Sequence, residues 1–151
     1  MAGVMLERLD LPVRITTAGT HVVEHQPMSV RTRAALGALD LPAAVHRSRQ
    51  LTAAHVAGAD LVIAMAAEHV WYVRRRHAAA ADRTATLRFL SRRLARGPEP
   101  LSARVAALDL ARVHPDEQGD VADPAGGDDA DYEACAREID ALVAELAPKL
   151  T

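Results

Sequence analysis

The stretch best suited to chemistry is a turn formed by Asp123-Pro124 and the glycines Gly126 and Gly127. Pro124 fixes its own φ and pushes Asp123 towards an extended conformation, which makes the pair stiff. The two glycines then allow the chain to reverse before a long final helix. A carboxylate at the tip of such a turn can lean over a pocket and donate a proton to a leaving group. The same residues also suit an ordinary surface turn, and taken alone their composition favours that interpretation.

Cysteine and histidine give weaker indications of chemistry. Cys135 is the only cysteine, which excludes an internal disulfide and any cysteine-based metal cluster. It lies on the apolar stripe of the final predicted helix, a position typical of a small buried hydrophobic residue. The histidine pairs His21 with His25 and His69 with His77 lack carboxylate or cysteine partners at ligand spacing. We therefore expect surface histidines and no bound metal.

Composition narrows the class of protein. The 151 residues fit one domain spanning residues 1–151, and because only 3% are aromatic the core must be Ala, Val and Leu. A net charge of −2 favours neither nucleic acid nor an anionic membrane. The arginines at 74–76 and at 92, 93 and 96 could form a basic patch, but aromatic side chains that stack on bases are nearly absent from the chain, so a solvated helix face is favoured. No apolar run reaches the length of a bilayer span and no leader precedes a cleavage site, so we expect a cytoplasmic protein.

Strand and helix patterns alternate along the chain. The predicted strands are Val13–Thr17, Leu61–Met65 and Thr84–Leu87. The predicted helices are Met1–Leu9, Val30–Leu39, a short helix capped by Thr52 and ending at Gly58, Ala66–Arg76, Arg88–Arg96, Leu101–Val113 and Asp129–Leu146. Ser29 is predicted to cap the second helix and Leu41-Pro42 to end it. This alternation predicts an α/β fold, a three-layer sandwich around a short parallel sheet.

Five motifs follow one another along nearly the whole chain. They are Ile15-Thr-Thr-Ala-Gly-Thr20, His25-Gln-Pro-Met28, His46-Arg-Ser-Arg-Gln-Leu51, Ala59-Asp-Leu-Val-Ile-Ala-Met65 with Glu68-His69, and Asp123-Pro-Ala-Gly-Gly127 before a helix near Tyr132. Their order and spacing resemble the low-molecular-weight protein tyrosine phosphatase family. Each motif is moderately specific by itself, and the combination carries the resemblance.

The resemblance implies hydrolysis of phosphate monoesters without a cofactor. In that family a Cys-x5-Arg-Ser/Thr loop follows the first strand, and its thiolate attacks phosphorus while loop amides, the arginine and a helix N-terminus hold the phosphate. The aspartate of the Asp-Pro turn protonates the leaving phenol and then activates water, which makes Asp123 the general acid by position. The implied partners are phosphorylated proteins or small aryl phosphates, and we expect a monomer or weak dimer.

Four further residues match positions that support the phosphate loop in the family. Thr17 and Thr20 match the stretch behind the loop, while His46 and Arg49 match a polar element packed near it. From the residues alone, the two threonines also suit an ordinary strand and turn, and the other two a solvated connector. Ala125 follows the Asp-Pro pair where a tyrosine is common in the family, so selectivity for phosphotyrosine is not implied for this chain.

The chain departs from the family in having no Cys-x5-Arg motif. Cys135 is followed at the required spacing by Ala141 instead of arginine. The family typically carries Arg-Ser-Pro-Met-Ala-Glu just after the phosphate loop, whereas this chain opens Met1-Ala2-Gly3. We therefore expect the first strand and the loop to lie upstream of Met1, so that the chain is N-terminally truncated and inactive by itself. A degenerate, non-catalytic module that binds a partner is the alternative, and an arsenate reductase, which needs further thiols, ranks last.

The absence of the family's first strand is expected to affect the stability of the fold. In the family the missing strand lies between the strands that match Val13–Thr17 and Leu61–Met65. Buried backbone groups left without partners cost roughly 1–3 kcal/mol each, against a total stability of about 5–15 kcal/mol for a domain. We expect either a sheet with a gap or direct pairing of these two strands, with poor stability in both cases.

Overall fold

The computed structural model describes residues 1–41 and 45–151, so Pro42 of the predicted helix stop lies outside the described residues. The helices of this part of the chain are α1 (Ala2–Glu7), α2 (Val30–Gly37), α3 (Ala53–Ala57), α4 (Ala67–Arg76), α5 (Leu87–Arg93), α6 (Leu101–Ala106) and α7 (Asp129–Leu146). Two strands, β1 (Val62–Ala64) and β2 (Thr84–Thr86), and short 3₁₀ turns at Ala78–Arg83, Pro115–Glu117 and Ala147–Lys149 complete it. The bounds predicted for α7 are confirmed.

Local capping explains where several elements begin and end. The predicted caps are confirmed, because the Ser29 side chain accepts a hydrogen bond from the Thr32 amide and Thr52 caps α3 in the same way. The strand predicted to reach Leu87 ends one residue earlier, since the Thr86 hydroxyl accepts from the Phe89 amide and starts α5. Gly58 ends α3 as predicted, but with a φ of −88° and not in the left-handed region.

Helix α6 is much shorter than the predicted Leu101–Val113 helix. The α-helix ends at Ala106, and Asp109 then takes a φ of 47°, which breaks the helical path. Glycine, asparagine and aspartate adopt the left-handed backbone conformation most readily. An aspartate is also common inside or beside helices, so Asp109 in the sequence does not indicate that the helix has already ended. The segment that follows is a series of turns.

The sheet of the described residues consists of β1 and β2 alone. They run parallel with Val62 opposite Thr84 and Ala64 opposite Thr86, joined by the α4 crossover. Residues 13–17 form no strand, so that prediction is wrong, because a strand needs a neighbour to complete its ladder. The predicted alternation of burial is nevertheless present, because from residue 11 to 18 the odd-numbered residues are half-buried and the even-numbered ones exposed. Direct pairing of residues 13–17 with β1, one of the two expected outcomes, is not seen, because β1 pairs with β2 alone among the described residues.

Apolar side chains pack on both faces of β1. Leu61 and Ile63 contact the main core, whereas Val62 contacts a smaller cluster of Val56, Val73 and Ala80. Helix α7 is the centre of the main core, since α1, α2 and α5 all pack against it. The fold is α/β with a short parallel sheet and mostly helices. Among the described residues no helix is both long and apolar enough to cross a membrane.

Arg104 is a buried residue whose role the sequence did not indicate. Its side chain is only 7% exposed. Its guanidinium donates to the carbonyls of Glu99 (2.9 Å), Ala95 (3.0 Å), Lys149 (2.7 Å) and Thr151 (3.2 Å). Because these carbonyls belong to two distant segments, Arg104 ties the C-terminal residues to the loop before α6.

Replacing Arg104 with methionine should destabilise the protein by roughly 2 kcal/mol or more, since it removes charge-assisted hydrogen bonds from several carbonyls at once. Urea denaturation followed by circular dichroism measures the change. Arg112→Met is the control, because the Arg112 side chain is exposed and should alter the unfolding midpoint little. Equal stability of the two variants would contradict this role.

Candidate functional site

Asp123 lies at the exposed tip of a turn that closes on itself. Its Oδ1 accepts a hydrogen bond from the Ala125 amide at 3.0 Å. The Gly127 amide donates to the Pro124 carbonyl at 2.9 Å, and Gly126 has a φ of +86°, a conformation that glycine adopts without strain. The predicted turn is thus confirmed, and the carboxylate of Asp123 lies at its surface.

The chain before this turn is attached to the carboxyl ends of both strands. The amide of the buried Val121 donates to the carbonyl of Met65, the residue after β1, at 2.8 Å. The Asp120 carboxylate accepts from the Ala67 amide at 2.8 Å and so caps the N-terminus of α4. Ligands of open α/β sheets bind at this edge, outside the carboxyl ends of the strands.

A buried glutamine completes this attachment. The side-chain oxygen of Gln118 accepts a hydrogen bond from the amide of Thr86, the last residue of β2, at 2.8 Å. The backbone carbonyl of Gln118 accepts a second one from the Thr86 hydroxyl at 3.0 Å. Gln118 therefore joins the segment before the turn to β2 as Val121 joins it to β1. Neither Gln118 nor Asp120 was predicted, because their partners lie 32 and 53 residues away.

The chain after the turn is attached to α2 and α7. The Asp128 side chain accepts from the Asp131 amide at 3.1 Å and begins α7. Arg31 of α2 donates to the Gly127 carbonyl at 2.6 Å and pairs with Asp129 at 3.2 Å. The two flanks of the Asp123 turn are therefore both held, each by a different set of elements.

Helix α1 packs against α7, the helix that follows the turn and carries Cys135. Burial raises the pKa of the Cys135 thiol, and the carboxylates of Glu138 and Asp123 raise it further. Burial also lowers the pKa of the Met1 amine. Little of the reactive Cys135 thiolate is therefore present at neutral pH.

Three of the four predicted supporting residues lie together. Thr17, His46 and Arg49 line a surface cavity of about 200 Å³, against Gly3 of α1. A side chain added at Gly3 would collide with the Thr17 methyl group, so glycine permits this close approach. Thr20 does not line the cavity, and its carbonyl instead accepts from the Gln50 amide group at 2.7 Å.

The aromatic side chains of α4 contact neighbouring segments of the chain. Trp71 is half-buried, donates to Asp116 at 3.1 Å and meets the His114 ring edge-on at 5.4 Å. The Tyr72 hydroxyl accepts from Gln50 at 3.3 Å.

The histidines considered as ligands are partly at the surface. His21 and His25 are exposed, whereas His69 and His77 are half-buried, which corrects the expectation of four surface histidines. Within residues 1–41 and 45–151 no group of three or more metal-ligating side chains is close enough to hold an ion.

The chain is similar to one known protein family and to a relative matched over nearly its whole length. The profile of a family described as low molecular weight phosphotyrosine protein phosphatase matches residues 2–102. A protein-arginine-phosphatase of Geobacillus stearothermophilus is 32% identical over 151 residues, which cover 99% of this chain and 86% of that protein.

Solved structures agree with the sequence comparison. The structure of YwlE arginine phosphatase from G. stearothermophilus is 31% identical with a TM-score of 0.78, covering 99% of this chain and 82% of that one. A low molecular weight protein tyrosine phosphatase from T. tengcongensis is 25% identical with a TM-score of 0.75, covering 99% and 88% of the two chains.

Cys135 should react slowly with iodoacetamide at neutral pH in the native protein. Burial and two neighbouring carboxylates raise the pKa of its thiol, so little of the reactive thiolate is present. Mass spectrometry of the alkylated protein, with and without urea, measures the difference. Rapid native labelling, equal to that in urea, would show that Cys135 is an accessible nucleophile.

Replacing Asp120 with alanine should destabilise the protein by about 1 kcal/mol, because α4 loses the carboxylate that caps it. Asp120→Asn retains an acceptor and should restore most of the loss. Thermal unfolding of the two variants beside the parent protein tests this. If Asp120→Ala were as stable as Asp120→Asn, the cap would contribute nothing.

Proposed function

The chain belongs to the low molecular weight phosphotyrosine protein phosphatase family, and we propose that it acts in the hydrolysis of phosphorylated protein side chains with Asp123 as the general acid. The observation that carries this proposal is the placement of Asp123. Its turn is attached at both ends and lies at the carboxyl edge of the sheet. A carboxyl group held there can protonate the leaving atom and then accept a proton from the attacking water.

The nucleophile of the proposed reaction is not among these 151 residues. They contain no Cys-x5-Arg motif, and Cys135 is a buried thiol with a raised pKa. We place the phosphate-binding loop next to Gly3, Thr17 and His46, where α1 begins and the supporting residues meet. By themselves, the 151 residues supply the acid and the supporting residues without the group that attacks phosphorus.

Phosphoarginine is the substrate class that we favour. The relatives at 32% and 31% identity are arginine phosphatases, and the chain matches them over 99% of its length. Ala125 follows the Asp-Pro pair, so the turn offers no aromatic ring at this position to stack on a phosphotyrosine. The leaving guanidine is strongly basic, and its departure therefore depends on a proton donor such as Asp123.

A non-catalytic module that binds a phosphorylated partner is the second candidate. The absence of Cys-x5-Arg from the sequence favours it. The two candidates differ in the genomic sequence before the codon for Met1. An in-frame segment encoding an apolar strand and Cys-x5-Arg-Ser supports the enzyme, and a stop codon there supports the binding module. Arsenate reduction ranks below both, because the single cysteine leaves no further thiol for turnover.

The role of Asp123 can be tested by supplying the missing loop. We expect that joining the strand and Cys-x5-Arg-Ser segment of the G. stearothermophilus arginine phosphatase to Met1 yields a protein that hydrolyses phosphoarginine. Asp123→Asn in this protein should lower kcat/KM for phosphoarginine about 10²- to 10⁴-fold, the usual contribution of general acid catalysis. The loss of kcat/KM should be much smaller for p-nitrophenyl phosphate, because p-nitrophenolate leaves without a proton. The ratio kcat/KM is compared because it does not include the later hydrolysis of the phosphoenzyme, in which Asp123 acts on both substrates alike.

Asp60→Asn is the matched control, since Asp60 is an exposed carboxylate before β1 and outside the site. It should leave kcat for both substrates unchanged. Equal losses of kcat/KM with the two substrates in Asp123→Asn would show that Asp123 is not the acid. Turnover by the 151-residue protein without the added segment would show that its nucleophile lies within these residues, contrary to the proposal.

A further inference from the structure

Arg88 lies where three parts of the candidate site meet. It is in the first turn of α5, directly after β2. Its Nε donates to the Asp120 carbonyl at 2.8 Å, and its Nη2 pairs with the Glu138 carboxylate of α7. Asp120 comes three residues before Asp123, whereas Glu138 belongs to the helix that follows the turn. One guanidinium therefore joins the two flanks of the turn that carries Asp123.

Gly119 provides independent evidence that the chain is fitted around Arg88. Its φ is +78°, in the left-handed region that favours glycine. A Cβ at Gly119 would lie 3.0 Å from Cδ of Arg88, closer than ordinary van der Waals contact. Glycine at position 119 therefore permits both the left-handed backbone conformation and the close approach of the chain to the Arg88 side chain.

We propose that Arg88 is a positioning residue for Asp123, because it holds both flanks of the Asp123 turn in a fixed relation. A planar guanidinium donates to two acceptors from two different nitrogens in a fixed geometry, whereas lysine has only one donor nitrogen. The Arg88 and Glu138 side chains are each 29% exposed, so their ion pair is shielded from solvent more than a surface pair is. The proposal rests on the proposed role of Asp123 as the acid.

The test uses hydrogen exchange of single amides in the 151-residue protein. We expect Arg88→Met to speed the exchange of the Val121 and Ala125 amides by about tenfold or more, because the segment they belong to opens more often. The Val121 amide reports the attachment to Met65, and the Ala125 amide reports the contact with the Asp123 carboxylate. Nuclear magnetic resonance after transfer to D₂O measures both.

Arg83→Met is the matched control. The Arg83 side chain is 25% exposed, pairs with Asp82 and donates to the carbonyl of Ala59 at 2.9 Å, but it lies just before β2, at the opposite end of the strand from the turn. It should lower the global unfolding midpoint without a selective effect on Val121 and Ala125. A purely structural role for Arg88 predicts the same pattern for both variants.

Two further variants keep the proposal testable if Arg88→Met folds poorly. Arg88→Lys should restore global stability but not the slow exchange at Ala125, because the single nitrogen of lysine cannot take the places of both Nε and Nη2. Gly119→Ala retains Arg88 but displaces its side chain, and should speed the same amides.

Unchanged exchange at Val121 and Ala125 in these variants, or an equal increase in Arg83→Met, would overturn the proposal. The assignment of Asp123 as the acid would be untouched by that result, because exchange does not depend on turnover. Conversely, if the Asp123→Asn variant of the enzyme with the added loop were fully active, Asp123 would not be the acid. An effect of Arg88 on amide exchange would then be unrelated to catalysis.

Discussion

Parallel pairing of two very short strands is the constraint on which the rest of the structure depends. Parallel neighbours cannot be joined by a hairpin, so a crossover must lie between them, and α4 forms it. The pairing brings the carboxyl ends of β1 and β2 to one edge. The segment before the Asp123 turn attaches there, through Val121 to the residue after β1 and through Gln118 to the end of β2. The place of the acid thus follows from the pairing of strands far from it in sequence.

The two flanks of the turn are not held equally. After the turn, the pair between Arg31 and Asp129 has side chains 51% and 83% exposed, and exposed pairs of this kind contribute about 0–1 kcal/mol. Before the turn, Val121 is buried, and Arg88, whose side chain is 29% exposed, donates to the Asp120 carbonyl. The attachment before the turn is therefore the stronger one, and it determines where Asp123 lies.

The region beside β1 is maintained by packing more than by backbone pairing. Within the part of the chain that the structure describes, strand β1 pairs with β2 alone, and its residues Val62 and Ile63 are half-buried. Residues 13–17 keep an alternating burial pattern, with Val13 and Ile15 against the main core, although no ladder holds them. Side-chain packing on α7 and its neighbours, more than backbone pairing, maintains this region.

The sequence by itself determined the features whose causes lie within a few residues: the caps at Ser29 and Thr52, the full extent of α7 and the turn at Asp123. Each depends on a hydrogen bond between near neighbours or on the period of an apolar stripe, and both are visible in the order of residues. Only the tertiary structure decided that residues 13–17 form no strand, and that Arg88 connects groups 32 and 50 residues away. The reason is physical: such contacts depend on the path of the chain in space, and residue order alone does not specify which distant acceptor a side chain will meet.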